Sequence, residues 1–330
     1  MRYRELGQTG LSVSELCLGT WELSGAWGQD VEPAVQAVRR AFDRGVTFFD
    51  TAYAYGEGLA EQGLARGLGD LLRSRRDELV IVTKGGVETT SSAGKTRIVR
   101  NSDASFLRKC LEQSLRLLGL DYVDVYLIHW PDPTVPFAET AGVVDSFVAE
   151  GLTRHGGVSN YSLQQLREAE QGGRVSVYQG QFNLLIRPGE HDLLPACREK
   201  GIGIMGYAAL ARGVLSGTLR RGQQFPADDW RSSNPAFRGA EFERLLDAVD
   251  AIAEVAASHS CTTAQLALAW VMRHPLGIVP IIGAQRPEHV DDSLGATEFD
   301  LSPEDVAALS ALEFDIPPFG SADIMVRTGT

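Results

Sequence analysis

Four ionisable side chains stand at or just beyond the ends of three short apolar segments of the sequence. The first segment leads to Asp50 and Tyr55, the second to Lys84 and the third to His129. A phenol has a pKa near 10, so it is a poor proton donor or acceptor at neutral pH unless a neighbouring cation lowers that value. We therefore expect Lys84 to lower the pKa of Tyr55, with Asp50 paired to Lys84, an arrangement suited to acid–base catalysis.

Taken one at a time, these four residues also fit structural roles. An aspartate can cap a helix, a tyrosine can lie in an exposed loop, a lysine can be a surface charge and a histidine can be a satisfied core residue. Separate structural roles do not explain the four residues together, because a buried lysine and a buried histidine would each cost free energy without a partner. A mutually paired cluster removes that cost, so we interpret the four residues as one site.

Short apolar segments alternate with segments of helical period along the chain, a pattern typical of parallel strands joined by crossover helices. We predict the eight strands of an α/β fold, a (β/α)8 TIM barrel, at residues 16–21, 46–51, 79–84, 123–129, 154–159, 175–181, 203–207 and 278–283. Helices are predicted at residues 32–44, 60–72, 103–118, 137–150, 163–170, 192–199, 262–273 and 287–296. An N-terminal β-hairpin precedes the barrel, and an extra C-terminal helix begins at Ser302-Pro303.

Two long stretches interrupt this alternation, residues 85–101 after the third strand and residues 212–241 after the seventh. Loops of this length in a compact domain are usually functional or disordered. Both leave the end of the barrel where the four ionisable residues gather, so we expect them to form the rim of a substrate pocket. The length of 330 residues suits one barrel, and we predict a single domain over residues 1–330.

Composition narrows the function further. The formal charge of −12 argues against nonspecific nucleic-acid binding, which depends on neutralising phosphates with Lys and Arg. No apolar stretch approaches the roughly 18 residues of a membrane span, and the N-terminus lacks a signal-peptide pattern, so we expect a cytoplasmic protein. We expect the four well-separated cysteines to be buried, reduced thiols. No histidine or cysteine spacing suggests a metal site.

Four motifs together resemble those of the aldo-keto reductase superfamily. They are Phe49-Asp50-Thr51-Ala52 followed by Tyr55-Gly56, Thr83-Lys84, Ile128-His129-Trp130-Pro131 and Gly157-Val158-Ser159-Asn160. The resemblance covers nearly the whole chain and is closest to the long-chain bacterial branch, which is similar to the β subunits of potassium channels. It implies a (β/α)8 barrel that binds a nicotinamide cofactor in extended form at the carboxyl ends of its strands.

The resemblance also implies roles for the four ionisable residues. Tyr55 matches the general acid that protonates the carbonyl oxygen as hydride arrives from the nicotinamide, and Tyr53 is a weaker match because of its spacing. Lys84 would lower the pKa of Tyr55, Asp50 would hold Lys84, and His129 would orient the carbonyl. The implied walls of the substrate pocket are Trp21, Tyr55, His129 and Trp130.

Cofactor contacts are implied in the same way along the chain. Thr20, Trp21 and Asp50 would contact the cofactor. Ser159, Asn160 and Gln179 would bind the nicotinamide carboxamide, and Tyr207 would stack on the nicotinamide ring. Ala208, Leu210, Ala211 and Gly213 run along the pyrophosphate. Gly283, Ala284, Gln285 and Arg286 open a helix that holds a phosphate, with Arg286 on the adenosine 2′-phosphate, and His289, Asp292 and Ser293 contact the adenosine.

The chain departs from this branch at a few positions. Thr218 stands where a lysine near the pyrophosphate is usual, and Arg220, Arg221 or Arg231 are the candidates to replace it. His289 and Ser293 also differ from the usual residues, which weakens the predicted adenine contacts and the predicted preference for NADPH.

The sequence therefore predicts an NADPH-dependent reductase that acts on a small-molecule aldehyde or ketone. One alternative is an NAD-dependent alcohol or sugar dehydrogenase, and another is a cofactor-binding, redox-sensing regulatory subunit. The complete set of four ionisable residues favours an enzyme. The sequence leaves the identity of the substrate, the physiological direction and the oligomeric state open.

Overall fold

Eight parallel strands close into a barrel in the computed structural model, which describes residues 1–25, 30–92, 95–227, 229–316 and 325–326. The strands are β1 (Tyr3–Glu5), β2 (Ser12–Ser14), β3 (Cys17–Gly19), β4 (Phe48–Asp50), β5 (Val80–Gly85), β6 (Val87–Ser92), β7 (Lys95–Arg100), β8 (Val123–Ile128), β9 (Thr153–Ser159), β10 (Val177–Gln181), β11 (Gly203–Tyr207), β12 (Val279–Gly283) and β13 (Met325–Val326). The barrel consists of β3, β4, β5, β8, β9, β10, β11 and β12, which confirms the eight predicted strands.

The helices surround this barrel. They are α1 (Glu32–Asp43), α2 (Leu59–Leu68), α3 (Leu71–Ser74), α4 (Ala104–Leu118), α5 (Phe137–Ala149), α6 (Leu163–Ala169), α7 (Leu193–Glu199), α8 (Gly239–Ser258), α9 (Thr263–Arg273), α10 (Pro287–Leu294) and α11 (Pro303–Ser310). The extra C-terminal helix is α11, where Ser302 and Asp305 form the reciprocal hydrogen bonds of a capping box.

The side chains of β5 that point into the barrel are apolar at the start of the strand and ionisable at its end. In β5 the inward series is Val80, Val82 and Lys84, because successive side chains of a strand alternate between its faces. The apolar members join an interior core that Leu6 and Leu11 of the N-terminal hairpin extend. The polar member comes last, so the carboxyl end of the barrel is the end that carries ionisable groups.

Two predicted loops contain regular structure instead. The stretch 85–101 forms an antiparallel hairpin of β6 and β7, with β13 added beside β7. Its threonines and β-branched residues favour strands, but it lacks the apolar alternation that would reveal a core-facing strand. The second stretch ends inside α8, a helix that the sequence analysis missed. Its buried residues, Phe242, Leu245, Leu246, Val249 and Ile252, have the spacing of one helix face.

Two smaller findings concern the membrane and the thiols. In the part of the chain that the structure describes, none of the helices is long and apolar enough to cross a bilayer. All four cysteines are free, but Cys261 is only partly buried, so the prediction of four buried thiols is correct for three.

Candidate active site

Lys84 lies at the centre of the predicted site. Its Nζ donates hydrogen bonds to Asp50 Oδ2 at 2.7 Å, to the carbonyl oxygen of Thr51 at 2.9 Å and to the Tyr55 hydroxyl at 3.2 Å. Lys84 is completely buried and Asp50 nearly so. The structure therefore brings together the lysine, aspartate and tyrosine that the sequence placed at strand ends.

Neighbouring strands position these groups. β4 pairs in parallel with β5 and β5 with β8, so their carboxyl ends meet at one rim of the barrel. Asp50 ends β4, and a turn in which Tyr55 N–H donates to the Ala52 carbonyl at 3.0 Å brings the phenol back over the barrel mouth. His129 follows β8 directly, and its backbone N–H donates to the carbonyl of Gly85 at 2.9 Å.

Burial controls the ionisation of this cluster. It raises the pKa of Tyr55 above the ordinary value and outweighs the charge and hydrogen bond of Lys84, which act to lower that pKa. The prediction that the pKa of Tyr55 is lowered overall is therefore wrong for this structure, because the sequence does not reveal how fully the phenol is desolvated. Burial acts to lower the pKa of Lys84, but Asp50 and Tyr55 together raise it. At neutral pH, Lys84 is charged and Tyr55 is protonated.

His129 faces the phenol across the site. The two rings lie 5.5 Å apart between centroids at 75°. Burial, followed by the charge of Lys84, holds the pKa of His129 well below its ordinary value, so the imidazole is neutral at neutral pH. Its Nδ1 is buried without a hydrogen-bond partner in the described part of the protein.

Two tryptophans were predicted to line the substrate pocket, and their contacts differ. Trp21 packs edge-on against Tyr55 with centroids 5.1 Å apart and remains 44% exposed. Trp130 follows His129 and lies 5.3 Å below the guanidinium of Arg100, which also donates to the Pro131 carbonyl at 3.1 Å. Arg100 thus attaches the β6–β7 hairpin to the predicted substrate pocket.

The residues predicted around a carboxamide are linked to the ionisable cluster. Gln179 Nε2 donates to the second oxygen of Asp50 at 2.8 Å. Asn160 donates to the His129 carbonyl at 3.0 Å and to the Ser159 hydroxyl at 3.0 Å, and its Oδ1 accepts from Tyr207 at 2.8 Å. The sequence revealed neither link, because both depend on which strands become neighbours in the barrel.

The segment that follows β11 holds several residues with left-handed backbone. Ala208, Ala211, Arg212 and Gly213 have φ of 54°, 50°, 55° and 90°. Residues other than glycine seldom adopt positive φ, and they do so mainly at functional sites. Such residues can turn backbone N–H groups toward a common point, which suits an anion. This segment, which includes Leu210, therefore fits the pyrophosphate contact that the sequence predicts.

The three arginines considered as replacements for the usual lysine differ in their surroundings. Arg221 pairs with three carboxylates of α8, and Arg220 donates to the carbonyls of Gly217 and Leu219. Arg231 pairs with Asp229, and its guanidinium lies 4.0 Å from where a Cβ would stand at Gly213. Arg231 is thus the arginine that lies beside the left-handed segment.

A cavity of about 460 Å³ lies next to this arginine. Residues of the second long stretch and the start of α8 line it, among them Phe225, Arg231, Phe237 and Phe242. None of the four ionisable site residues borders the cavity. It is therefore separate from the predicted catalytic groups.

The segment after β12 leads directly into α10. Arg286 precedes the first helical residue, its side chain is 58% exposed, and its Nε lies 3.6 Å from a carboxylate oxygen of Glu288. The backbone N–H of Gln285 donates to His289 Nδ1 at 3.4 Å. Arg286 is thus accessible to a phosphate, but it has a competing carboxylate beside it.

The remaining predicted cofactor residues are distributed around this region. Thr20 is buried, and its backbone N–H donates to the Asp50 carbonyl at 3.0 Å. Ala284 and Ser293 are buried, and Gly283 is exposed. Asp292 accepts a hydrogen bond from Gln265 at 3.3 Å. The predicted cofactor positions thus extend from the ionisable cluster through β12 to α10.

Comparison with known proteins identifies the family to which the chain belongs. A family model described as the aldo/keto reductase family matches residues 15–313. Aldo-keto reductase YhdN of Bacillus subtilis (strain 168) is 30% identical over 308 residues, which cover 92% of this chain and 91% of the relative. NADH-specific methylglyoxal reductase of Escherichia coli (strain K12) is 30% identical over 322 residues, covering 94% and 97%.

Solved structures give the same result at the level of the fold. The glycerol dehydrogenase AKR11B4 from Gluconobacter oxydans is similar with a TM-score of 0.84 and 29% sequence identity. The similarity covers 97% of this chain and 99% of that chain. It therefore extends over the whole barrel and the elements around it.

Proposed function

Because the chain belongs to the aldo/keto reductase family, whose members are oxidoreductases that use nicotinamide cofactors, we propose that it reduces an aldehyde or ketone with NADPH. The observation that carries the proposal is the contact of Lys84 Nζ with both Asp50 and the Tyr55 hydroxyl. A buried cation held by a carboxylate and bonded to a phenol has a direct use in proton transfer to a carbonyl oxygen.

Tyr55 is the proton donor in this proposal. Its raised pKa keeps the phenol protonated at neutral pH, which is the form that a general acid requires. As the proton leaves for the carbonyl oxygen, negative charge develops on the phenol oxygen 3.2 Å from Lys84 Nζ. The cation is already in place, so it stabilises that charge without rearrangement. Asp50 keeps Lys84 charged and oriented.

His129 positions the carbonyl. Because its pKa is well below the ordinary value, it acts as a neutral imidazole that donates one hydrogen bond and adds no positive charge. Trp21 makes a T-shaped contact with Tyr55 and is available as one wall of the substrate pocket. The bound nicotinamide supplies the hydride.

The residues available to hold the cofactor suit its separate parts. The hydroxyl of Ser159 and the amide of Gln179 are hydrogen-bonding groups for a carboxamide, and Tyr207 offers a ring face. The left-handed segment that includes Gly213, together with Arg231, provides N–H groups and a positive charge for a pyrophosphate. Arg286 favours NADPH because its exposed guanidinium can bind a 2′-phosphate.

A second candidate is an NAD-dependent alcohol dehydrogenase. Glu288 lies 3.6 Å from Arg286, and a carboxylate there competes with a 2′-phosphate for the guanidinium. One relative is named an NADH-specific reductase and one structural neighbour a glycerol dehydrogenase. These observations favour NAD(H) as the alternative cofactor and polyols as alternative substrates.

Parallel cofactor titrations test the proposal. The purified protein is titrated with NADPH and with NADH in a calorimeter, and then assayed with a panel of aldehydes and ketones by the absorbance of the reduced nicotinamide. We expect tighter binding of NADPH and its oxidation by at least one carbonyl class. Tighter binding of NADH would support the second candidate. Failure to bind either nucleotide would contradict both.

We further propose that the enzyme acts in the cytoplasm. Its four free cysteines are the form that thiols take in a reducing compartment.

A further inference from the structure

Glu22 lies where the predicted catalytic and phosphate regions meet. It belongs to a short 3-10 helix, Trp21–Ser24, that follows β3. β3 pairs with β12 in a register that sets Gly19 beside Gly283. The carboxyl of Glu22 lies on the backbone of Gly283, since a Cβ there would stand 2.1 Å from Oε1 and 2.9 Å from Oε2. A glycine at this position makes room for the carboxyl.

A backbone hydrogen bond at Glu22 acts to lower the pKa of this carboxyl, but one of the two carboxyl oxygens lacks a hydrogen-bond partner. Glu22 Oε2 is buried and has no hydrogen-bond partner, and no lysine or arginine of the described residues forms an ion pair with it. A buried polar atom left unsatisfied costs free energy, so in native proteins such an atom usually has a hydrogen-bond partner in the protein, in water or in a ligand. A ligand that brings a hydrogen-bond donor to this point would remove the cost.

The neighbouring charged groups mostly have other partners. On α2, Glu61 accepts from Thr83 and Arg66 pairs with Glu32 of α1, and after β12 Arg286 lies beside Glu288 while His289 accepts from Gln285. The charge of Glu22 also acts on the phenol of Tyr55, less strongly than Lys84 and Asp50, and it acts to raise the pKa of Tyr55. The carboxyl that lies on Gly283 is therefore within electrostatic range of the proposed proton donor.

Burial also affects the ionisation of Glu22. It raises the pKa of this carboxyl to about 7. About half of the molecules therefore carry a protonated Glu22 at neutral pH, and a ligand that prefers one form shifts the balance.

We propose that Glu22, as a carboxylate, accepts a hydrogen bond from a ribose hydroxyl of the nicotinamide cofactor, so that cofactor binding releases a proton. The inference rests on the proposed function, because it requires a nicotinamide cofactor in this site. An ionised carboxylate only accepts hydrogen bonds, so it suits a hydroxyl and repels a phosphate. Its place between Tyr55 and the phosphate segment matches the sugar that joins nicotinamide to pyrophosphate.

Proton release on binding is the test. NADPH is titrated into the wild-type protein and into Glu22→Gln by calorimetry, in buffers with different ionisation enthalpies. If Glu22 is ionised when the cofactor is bound, Glu22 releases about 0.9 proton per bound cofactor at pH 6, about 0.5 at pH 7 and about 0.1 at pH 8. The difference between the two proteins isolates this part, because any proton exchange by the 2′-phosphate is common to both.

The affinity for NADPH should increase as pH rises, because binding releases a proton. Wild-type binding of NADPH tightens as pH rises through about 7 and levels off above it, and Glu22→Gln loses about 10-fold in affinity at about pH 8. Glu61→Gln is the matched control, because Glu61 is the other buried carboxyl with a pKa raised to about 7 and it is bonded to Thr83 instead. This control should retain the wild-type proton release.

Two outcomes would overturn the role of Glu22, and a third would refute the proposed function. Equal proton release by wild type and Glu22→Gln, with NADPH bound by both, would overturn the role of Glu22 and leave the proposed function intact. A proton taken up through Glu22 would also overturn it, because a protonated carboxyl would then be donating to a phosphate. Failure of the wild-type protein to bind NADPH or NADH would instead refute the proposed function.

Discussion

Replacing Lys84 with methionine removes the group on which the proposed site depends. Lys84 is fully buried, and its Nζ lies 2.7 Å from Asp50 and 3.2 Å from the Tyr55 hydroxyl. The change leaves the Asp50 carboxylate buried, with Gln179 as a remaining side-chain donor. Breaking a buried ion pair in this way costs about 3–5 kcal/mol, a large share of the roughly 5–15 kcal/mol by which domains are stable.

A double variant, Lys84→Met with Asp50→Asn, separates stability from chemistry. It removes the unpaired charge, so we expect it to recover most of the lost free energy of unfolding. It does not restore the cation beside the phenol. Lys84 acts to lower the pKa of Tyr55, so its removal should raise that pKa in the single variant, and the loss of the Asp50 charge should offset part of the rise in the double variant. We expect turnover to stay about 10²-fold or more below wild type.

Denaturant unfolding and carbonyl-reduction kinetics, measured on the same three proteins, provide the assay. Reduction requires protonated Tyr55, so the wild-type rate should be level below the pKa of Tyr55 and fall above it, and this fall should move to higher pH without Lys84. A double variant that regained both stability and turnover would refute the reasoning. So would a single variant that kept more than about a tenth of wild-type turnover.

Two further predictions concern cofactor choice and pH-dependent stability. Arg286→Ala should weaken NADPH by about 10- to 150-fold and NADH hardly at all, measured by calorimetric titration, and equal losses for both nucleotides would show that Arg286 does not bind the 2′-phosphate. Burial raises the pKa of Glu61 from 4.5 to about 7, so the folded state holds its proton more tightly than the unfolded state. Wild-type stability should therefore fall by about 2 kcal/mol as pH rises from about 5 to 7. Glu61→Gln should lose that slope in denaturant unfolding, and an unchanged slope would assign it to other groups.

The barrel rim that carries the ionisable residues was predictable because strand periodicity is local. Val80, Val82 and Lys84 alternate within one segment, and parallel strands bring their carboxyl ends together, so the contact with Asp50 follows from sequence and fold class alone. Helix α8 was predictable too, since its apolar residues recur at helical spacing. The turn residues that crowd the preceding stretch obscure that signal.

Other features depend on pairing between distant segments. The carboxyl of Glu22 meets Gly283 only because β3 closes the barrel against β12, a register that neither segment specifies alone. The net pKa of Tyr55 depends on how completely its neighbours remove water, which composition does not show. The left-handed backbone at Ala211 and Arg212 has no signature in residues that seldom adopt it. The single domain over residues 1–330 stays a prediction.

Tyr55→Phe tests the central claim most directly, because it removes one hydroxyl and keeps the ring that packs against Trp21 and His129. The measurement compares single-turnover oxidation of bound NADPH by a carbonyl substrate in the wild type and the variant, with NADPH affinity measured in parallel. We predict nearly unchanged affinity and a rate lower by about 10² to 10⁴. A variant that binds NADPH and reduces the carbonyl at more than about a tenth of the wild-type rate would contradict the assignment of Tyr55 as the acid.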